Sequence, residues 1–103
     1  MKKIIILFLC GLLGACSPKT FAPADQSLQR MQQKVPGITM ERARDGYNLY
    51  SAKCASCHRL YDPAKYTLAK WEPILNKMIP RAKITDWASQ KLIRDYVYAA
   101  AAD

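Results

Sequence analysis

The sequence is poor in histidine, in acidic residues and in long apolar runs, and each scarcity excludes a class of function. His58 is the single histidine in 103 residues, so no metal ion can be held by two histidines of one chain. Eight Asp and Glu face 16 Lys and Arg, and no acid–base pair suited to catalysis stands out among them. The most apolar run, residues 4–13, is too short for a membrane span, which takes about 20 residues.

Signals for β-structure and for repeats are missing as well. No segment alternates apolar and polar residues over the length of a strand, and no stretch recurs at a fixed spacing. Apolar residues at helical spacing are frequent in the second half of the chain, so the sequence predicts an all-α protein. The net charge of +8 favours contact with an acidic protein or an anionic membrane, although simple solubility explains it equally well.

The first 15 residues have the pattern of an export signal. A Met-Lys-Lys start precedes the apolar run 4–13, and two small residues follow that run. This order of basic, apolar and small residues is typical of secretory signal peptides, so we expect residues 1–15 to be removed on export. Export, and the lack of a recognition motif, argue against binding to nucleic acid.

The end of this segment, Leu13-Gly14-Ala15-Cys16, resembles the lipobox of bacterial lipoproteins. In that family the signal is cleaved before the cysteine, and the cysteine then carries lipid. The resemblance implies that Cys16 is lipidated and that the protein is held at the periplasmic side of a membrane. Ser17 follows this cysteine, and the absence of an Asp at that position favours sorting of the lipoprotein to the outer membrane. An ordinary secretory signal with an incidental cysteine is the alternative.

The most specific motif in the chain is Cys54-Ala55-Ser56-Cys57-His58. C-x-x-C-H is the attachment signature of a c-type haem. The two thiols can form thioethers with the vinyl groups of one haem, and His58 can reach the iron as an axial ligand. Three other interpretations are a thioredoxin-like redox pair, which expects a strand–helix–strand context, half of a zinc site, which needs four ligands, and a structural disulfide.

The chain after residue 15 divides in two by composition. Residues 16–38 hold three prolines and little apolar periodicity, which predicts a flexible tether, with a short helix around Asp25–Lys34 as an option. Residues 39–103 are the predicted globular domain. A domain of this size is marginally stable by itself, and a covalently held haem would complete its core.

Three helices are predicted in residues 39–103. The first covers about Met40–Lys53, the second lies within Thr67–Ile79, and the third follows Thr85 and continues to about Ala101. The predicted N-caps are Thr39 for the first helix, Thr67 or Glu72 for the second, and Thr85 for the third.

Two prolines and a glycine complicate these helices. With Glu72 as cap, Pro73 takes the first helical position, where proline is tolerated; with Thr67 as cap, it lies inside the helix. Pro80 is expected to end the second helix. Gly46 is a poor helix former, and close approach of another helix is one physical reason to keep a glycine there.

The run from Gly46 to Tyr50, followed by the C-x-x-C-H motif, resembles the opening of class I cytochromes c. The resemblance implies a compact all-α cytochrome c fold around one covalently attached haem c, so that residues 39–103 would be a cytochrome c domain. It also implies that Gly46 and Tyr50 cross an aromatic residue of the last helix, here Tyr96. The carbonyl of Pro63 would accept the N–H of His58 and orient its ring.

Trp71 is a further candidate for the haem pocket, together with Tyr50. The indole would pack on the haem or bond a propionate through its N–H, and ordinary core packing is the alternative. Arg59, Lys65 and Lys70 could meet the propionates, and a solvated basic face is the alternative for these three side chains.

The sixth ligand of the iron has several candidates. Because His58 is the single histidine, they are Met31, Met40, Met78 or a lysine. Met31 lies in the predicted tether, and Met40 would have to double back from the start of the first helix. Class I cytochromes c place their methionine downstream of the haem motif, so the resemblance implies Met78. An ordinary core position for Met78 is the alternative.

These expectations describe an electron carrier rather than an enzyme. Ligation by His58 and Met78 fills both axial positions and leaves no site for a substrate at the iron. We therefore expect a monomer, lipid-anchored in the periplasm, that passes one electron to redox proteins with acidic surfaces. A haem-based gas sensor, or a cytochrome subunit of a larger periplasmic oxidoreductase complex, is the alternative.

Overall fold

Four α-helices form most of the chain in the computed structural model, which describes residues 21–55 and 59–103. They are α1 (Leu28–Lys34), α2 (Met40–Cys54), α3 (Leu68–Arg81) and α4 (Trp87–Ala100). Single 3-10 turns at Asp25–Ser27 and Pro63–Lys65 precede α1 and α3. No strand forms within the described ranges, so the predicted all-α class is confirmed. Helix α1 lies where a short helix around Asp25–Lys34 was an option, and the other three helices are those predicted in residues 39–103.

Helices α2, α3 and α4 each have a side chain that caps the N-terminus. Thr39 and Thr67 each accept a hydrogen bond from the backbone N–H three residues further on, which confirms both predicted caps. At α4 the cap is Asp86 rather than Thr85, and its carboxylate accepts from the N–H of Ser89 at 2.8 Å. The hydrogen bonds from Ser89 hold the pKa of Asp86 below its ordinary value. A carboxylate is the stronger acceptor and suits the positive end of a helix, which explains the shift by one residue.

Helix α3 contains both prolines that were expected to limit it. It begins with Thr67 as cap, so the alternative start at Glu72 is wrong, and Pro73 lies inside the helix. It also continues through Pro80 to Arg81, so the expected end at Pro80 is wrong as well. Both prolines are exposed, where water can bond the carbonyls that a proline leaves without a helical donor. The opposite face of the helix is buried, and this burial offsets the two lost backbone bonds.

Helices α2 and α4 cross in close contact at Gly46. A Cβ atom at this position would collide with the carbonyl oxygen of Leu92 and would lie 2.5 Å from the Cβ of Tyr96. The ring of Tyr96 lies 5.7 Å from the rings of both Tyr47 and Tyr50, measured between centroids. The close helix approach expected at Gly46 is therefore confirmed, and Gly46, Tyr50 and Tyr96 meet at the crossing.

Residues 21–38, here called the N-terminal segment, pack on this helix pair. The sequence analysis assigned residues 16–38 to a flexible tether, yet Met31 and Ile38 are almost fully buried. They form a cluster with Ala43 of α2 and Ala99 of α4. Alanine at both contact points lets the segment approach the helices closely, and this kind of contact gives no periodic signal in the sequence.

Polar contacts hold the N-terminal segment as well. Arg30 and Lys34 of α1 each form a 2.9 Å ion pair with Asp103, and Lys34 also donates a hydrogen bond to the carbonyl of Ala101. At the start of the segment, the hydroxyl of Tyr96 donates to the carbonyl of Phe21 at 2.5 Å. The segment is thus attached to the C-terminal half of α4 and to the residues after it by contacts that lie far apart in the sequence.

The buried side chains form two clusters. The larger cluster lies between α2, α3 and α4 and contains Tyr50, Trp71, Leu75, Ile79, Ile84, Ile93, Tyr96, Val97 and Ala101. The smaller cluster joins the N-terminal segment to the helices and contains Met31, Ile38, Ala43 and Ala99. Within residues 21–55 and 59–103, no helix has the length and apolar character needed to cross a membrane.

Candidate functional site

A cavity of about 280 Å³ lies beside the larger cluster. Its walls come from the second half of α2, from residues 60–66 and from α3. The lining side chains are Tyr50, Cys54, Leu60, Tyr61, Tyr66, Trp71, Ile74, Leu75 and Met78. Most of these are apolar or aromatic, which is the composition of pockets that bind organic cofactors. We call this space the apolar cavity.

Four residues predicted for the site from the sequence line the apolar cavity. Tyr50 and Cys54 reach it from α2, one helical turn apart, and Trp71 and Met78 reach it from α3, two turns apart. The structure therefore brings the first cysteine of the motif and the expected methionine ligand to one space. The remaining motif residues, Ser56 to His58, lie outside the described residues, as do the signal peptide and the lipidation site Cys16.

The three methionines in the described ranges lie in different surroundings. Met31 is buried in the smaller cluster, and Met40 is half-buried and packs against the same cluster. Met78 is half-buried on α3 and lines the apolar cavity. Of the methionines considered as iron ligands, Met78 is the one whose side chain borders the cavity that also receives Cys54.

The indole N–H of Trp71 is engaged within the protein. It donates a buried 2.6 Å hydrogen bond to the carbonyl of Pro63, which begins the 3-10 turn before α3. The bond gives the indole N–H a partner other than the propionate considered from the sequence. A carbonyl oxygen has two lone pairs, so the Pro63 oxygen keeps the capacity to accept one further donor, such as the N–H expected from His58.

Tyr50 donates a hydrogen bond and also packs against a second wall of the cavity. Its hydroxyl donates to the carbonyl of Tyr61 at 2.5 Å, and its ring meets Trp71 edge to face at 6.4 Å. Burial raises the pKa of Tyr50 well above its ordinary value, with a further contribution from nearby Cys54 and Asp62. The hydroxyl therefore keeps its proton, and its role as a donor, throughout the neutral pH range.

The ammonium groups of two lysines lie over aromatic rings that line the cavity. The Nζ atom of Lys65 lies 4.7 Å from the centroid of the Tyr61 ring, and that of Lys70 lies 5.4 Å from the centroid of the Tyr66 ring. Such cation–π contacts place positive charge at the edge of an apolar space. Arg59, grouped with these lysines in the sequence analysis, is exposed.

A second and larger cavity, of about 450 Å³, lies between the N-terminal segment and the end of α4. Its walls include Arg30 and Lys34, whose ion pairs with Asp103 are described above. Of the five predicted site residues that the structure describes, Pro63 lines this space and the other four do not. Volume alone therefore does not identify the functional site, because the chemistry of the motif belongs to the smaller cavity.

Several cavity residues were not predicted from the sequence. Leu60, Tyr61 and Tyr66 come from the non-helical stretch after the motif, and Ile74 comes from α3. Three apolar or aromatic residues within seven positions of a loop were a usable signal, because exposed loops are seldom so rich in them. The carbonyl acceptors at Tyr61 and Pro63 had no such signal, since every residue carries a carbonyl.

Comparison of the chain with protein-family models, with curated proteins and with solved structures finds no match. The motif and the apolar cavity are therefore the observations from which a function can be inferred. A haem c with His and Met ligands is held in an apolar space, with thiols at its wall and a soft neutral thioether on the iron. The apolar cavity has aromatic walls, the Cys54 thiol and the Met78 thioether, so the residues present fit that group.

Proposed function

We propose that this protein transfers electrons by means of one haem c attached through Cys54 and Cys57. His58 and Met78 would be the axial ligands of its iron. The observation that carries the proposal is the meeting of Cys54 and Met78 in one apolar cavity, because these residues come from different helices. The crossing of α2 and α4 at Gly46 supports it further, since the resemblance to class I cytochromes c implies this contact.

The residues of the cavity suit a one-electron carrier. The haem, when bound, supplies an iron that alternates between ferrous and ferric states. The neutral thioether of Met78 favours the ferrous state and so raises the reduction potential. Apolar side chains around the cavity, Tyr50 and Trp71 among them, would give the iron surroundings of low polarity, which also favours the less charged ferrous state. Two protein ligands leave no position for a substrate, so we propose a carrier and not an enzyme.

The place of action follows from the amino terminus. We propose export to the periplasm, cleavage after residue 15, and anchoring to a bacterial membrane through lipid on Cys16. Ser17, which stands where an Asp would retain a lipoprotein at the inner membrane, favours the outer membrane. The basic composition, with 16 Lys and Arg against eight Asp and Glu, suits redox partners that present acidic surfaces. We propose that the protein acts as a monomer.

Absorption spectra of the exported protein test this function. We expect a low-spin c-type spectrum in both oxidation states, a weak far-red sulfur–iron band in the oxidised form, and no response of the reduced form to carbon monoxide. The Met78→Ala variant should keep its covalent haem, lose the far-red band, bind carbon monoxide and show a lower potential. Met31→Ala is the matched control, because Met31 lies in the smaller cluster, and it should keep the parent spectrum.

Each other outcome leads to a different conclusion. A protein without covalent haem would overturn the proposal, and ready binding of carbon monoxide by the parent protein would favour the gas sensor. An unchanged spectrum in Met78→Ala would move the sixth ligand elsewhere. For the anchor, Cys16→Ser should release the protein from membranes with its haem intact, and persistent membrane attachment would contradict lipidation at Cys16.

A further inference from the structure

Two side chains from different helices bond the backbone immediately after the haem motif. The hydroxyl of Tyr50 donates to the carbonyl of Tyr61 at 2.5 Å, and the indole N–H of Trp71 donates to the carbonyl of Pro63 at 2.6 Å. Asp62, which lies between the two acceptors, has an extended backbone with φ −64° and ψ 124°. We call this pair of hydrogen bonds the carbonyl clip.

The two donors of the carbonyl clip are buried and pack against each other. Tyr50 and Trp71 are 3% and 2% exposed, and their rings meet edge to face with an interplanar angle of 85°. Tyr66 packs on the other side of Trp71, with ring centroids 5.4 Å apart. Buried donors lose free energy when they lack an acceptor. The bond to Pro63 is itself buried, and the bond to Tyr61 is part-buried. The donors therefore restrain the backbone more firmly than the same bonds would at the surface.

The restrained backbone has two connections to the site. Tyr61 lines the apolar cavity, so the carbonyl clip fixes part of the cavity wall. The same stretch continues directly from His58, with two residues between that histidine and Tyr61. Asp62 adds a local restraint, because its side chain accepts from the N–H of Ala64 and its carbonyl accepts from the N–H of Lys65.

We propose that Tyr50 and Trp71 are positioning residues that set the reduction potential through the carbonyl clip. This inference rests on the proposed function. Tyr50 and Trp71 hold residues 61–63, of which Tyr61 lines the apolar cavity, and so they would keep this part of the cavity wall closed to water. Loosening either bond admits water beside the haem, which stabilises the ferric charge and lowers the potential.

The test compares three single substitutions in the exported protein. Tyr50→Phe and Trp71→Phe each remove one donor of the carbonyl clip and keep an aromatic ring. Tyr96→Phe is the matched control, because it removes a buried hydroxyl that also donates at 2.5 Å, in this case to Phe21 in the N-terminal segment. Potentiometric titration gives the potential, and amide hydrogen exchange reports the mobility of the backbone.

We expect the two clip variants to differ from the control in both measurements. The amides of Ala64 and Lys65 should exchange about tenfold faster in Tyr50→Phe and Trp71→Phe, as expected for the loss of one buried hydrogen bond. Their reduction potentials should fall below that of the parent protein. Tyr96→Phe should keep the parent potential and the parent exchange at these two amides.

Other results would overturn the inference in separable ways. Equal shifts of potential in all three variants would mean that lost stability, and not the carbonyl clip, moves the potential. Unchanged exchange at Ala64 and Lys65 in both clip variants would mean that the two bonds do not restrain this backbone. A parent protein without covalent haem would overturn the proposed function, while the exchange data would still decide whether the carbonyl clip holds the chain.

Discussion

The larger and smaller clusters differ in composition and in the cavity that each one borders. The larger cluster contains three aromatic residues, of which Tyr50 contacts both Trp71 and Tyr96, and the apolar cavity lies beside it. The smaller cluster has no aromatic residue, and the cavity next to it has charged walls. Aromatic rings present a large apolar surface to the smaller cavity, whereas Arg30, Lys34 and Asp103 give the larger cavity a charged wall. The aromatic cluster therefore suits a cofactor, and the aliphatic one attaches the N-terminal segment.

The strongest way to break both clusters at once is a substitution at the crossing of α2 and α4. In Gly46→Ala the new Cβ meets the backbone carbonyl of Leu92, which cannot move aside as a side chain can. We expect a loss of about 3 kcal/mol in the free energy of unfolding, measured by urea denaturation, despite the better helix propensity of alanine.

Gly37→Ala is the control for this substitution. Gly37 has φ +81°, and a Cβ there would meet no atom within 4 Å, so its cost is limited to the left-handed backbone, about 1–2 kcal/mol. A Gly46→Ala protein that is as stable as the parent would show that the two helices can separate slightly without loss.

Alkaline pH should weaken the larger cluster selectively. Burial raises the pKa of Tyr50 and of Tyr96 above the ordinary value, so the folded state keeps protons that the unfolded state releases. The stabilisation is complete below the unfolded pKa of about 10 and is lost as the pH rises above it. With two such groups the free energy of unfolding should fall by about 2.7 kcal/mol per pH unit. Urea denaturation between about pH 9 and about pH 11, on either side of that pKa, measures the slope. Tyr50→Phe should halve the slope. A free energy of unfolding that does not change with pH would contradict the prediction.

A substitution in the smaller cluster should lower the stability of the protein and leave the proposed haem site unchanged. Met31 is 3% exposed, so Met31→Ala should cost about 2 kcal/mol by leaving a cavity. The haem spectrum should stay that of the parent, because Met31 does not line the apolar cavity. Urea denaturation followed by absorption spectroscopy checks both parts. A changed spectrum would mean that the two clusters are coupled through α4.

The smallest effect is expected from the ion pairs of the N-terminal segment. Hydrogen bonds from Lys34 and Arg30 hold the pKa of Asp103 below its ordinary value. The stabilisation from these ion pairs is therefore present above the pKa of Asp103 in the unfolded chain, and it is lost as the pH falls through the pKa of Asp103 in the folded protein. In the parent protein the free energy of unfolding should decline slightly below about pH 4. Asp103→Asn should show a shallower decline, and identical acid profiles would mean that these exposed pairs contribute nothing measurable.

Local chemistry explains which parts of the fold could be predicted. Helices α2, α3 and α4 were found because caps such as Thr39 and Thr67, and apolar residues at helical spacing, act within a few positions of the chain. The role of Gly46 followed from its cost in a helix, which needs a compensating contact. Asp86 and Thr85 are both capable caps, and the stronger carboxylate acceptor of Asp86 occupies the position.

Contacts between distant and non-helical parts explain what could not be predicted. Burial of Met31 depends on Ala99, far along the chain, and alanine marks no particular face of a helix. For the site, the methionine expected from the resemblance does border the apolar cavity together with Cys54. The carbonyls of Tyr61 and Pro63 could not be foreseen as acceptors, because backbone groups have no signature in the sequence.

The hydrogen bond from Tyr96 to the carbonyl of Phe21 has a consequence for how far the domain can travel from a membrane. From Phe21 onward the chain packs on the helices, so only residues 16–20 would connect an anchor at Cys16 to the packed domain. Five residues span at most about 18 Å when fully extended, which limits the distance between the anchor and the domain. With the proposed lipid at Cys16, the domain would stay within a thin layer at the bilayer surface and would sample that layer at high effective concentration. Its redox partners would meet it by lateral diffusion in that layer.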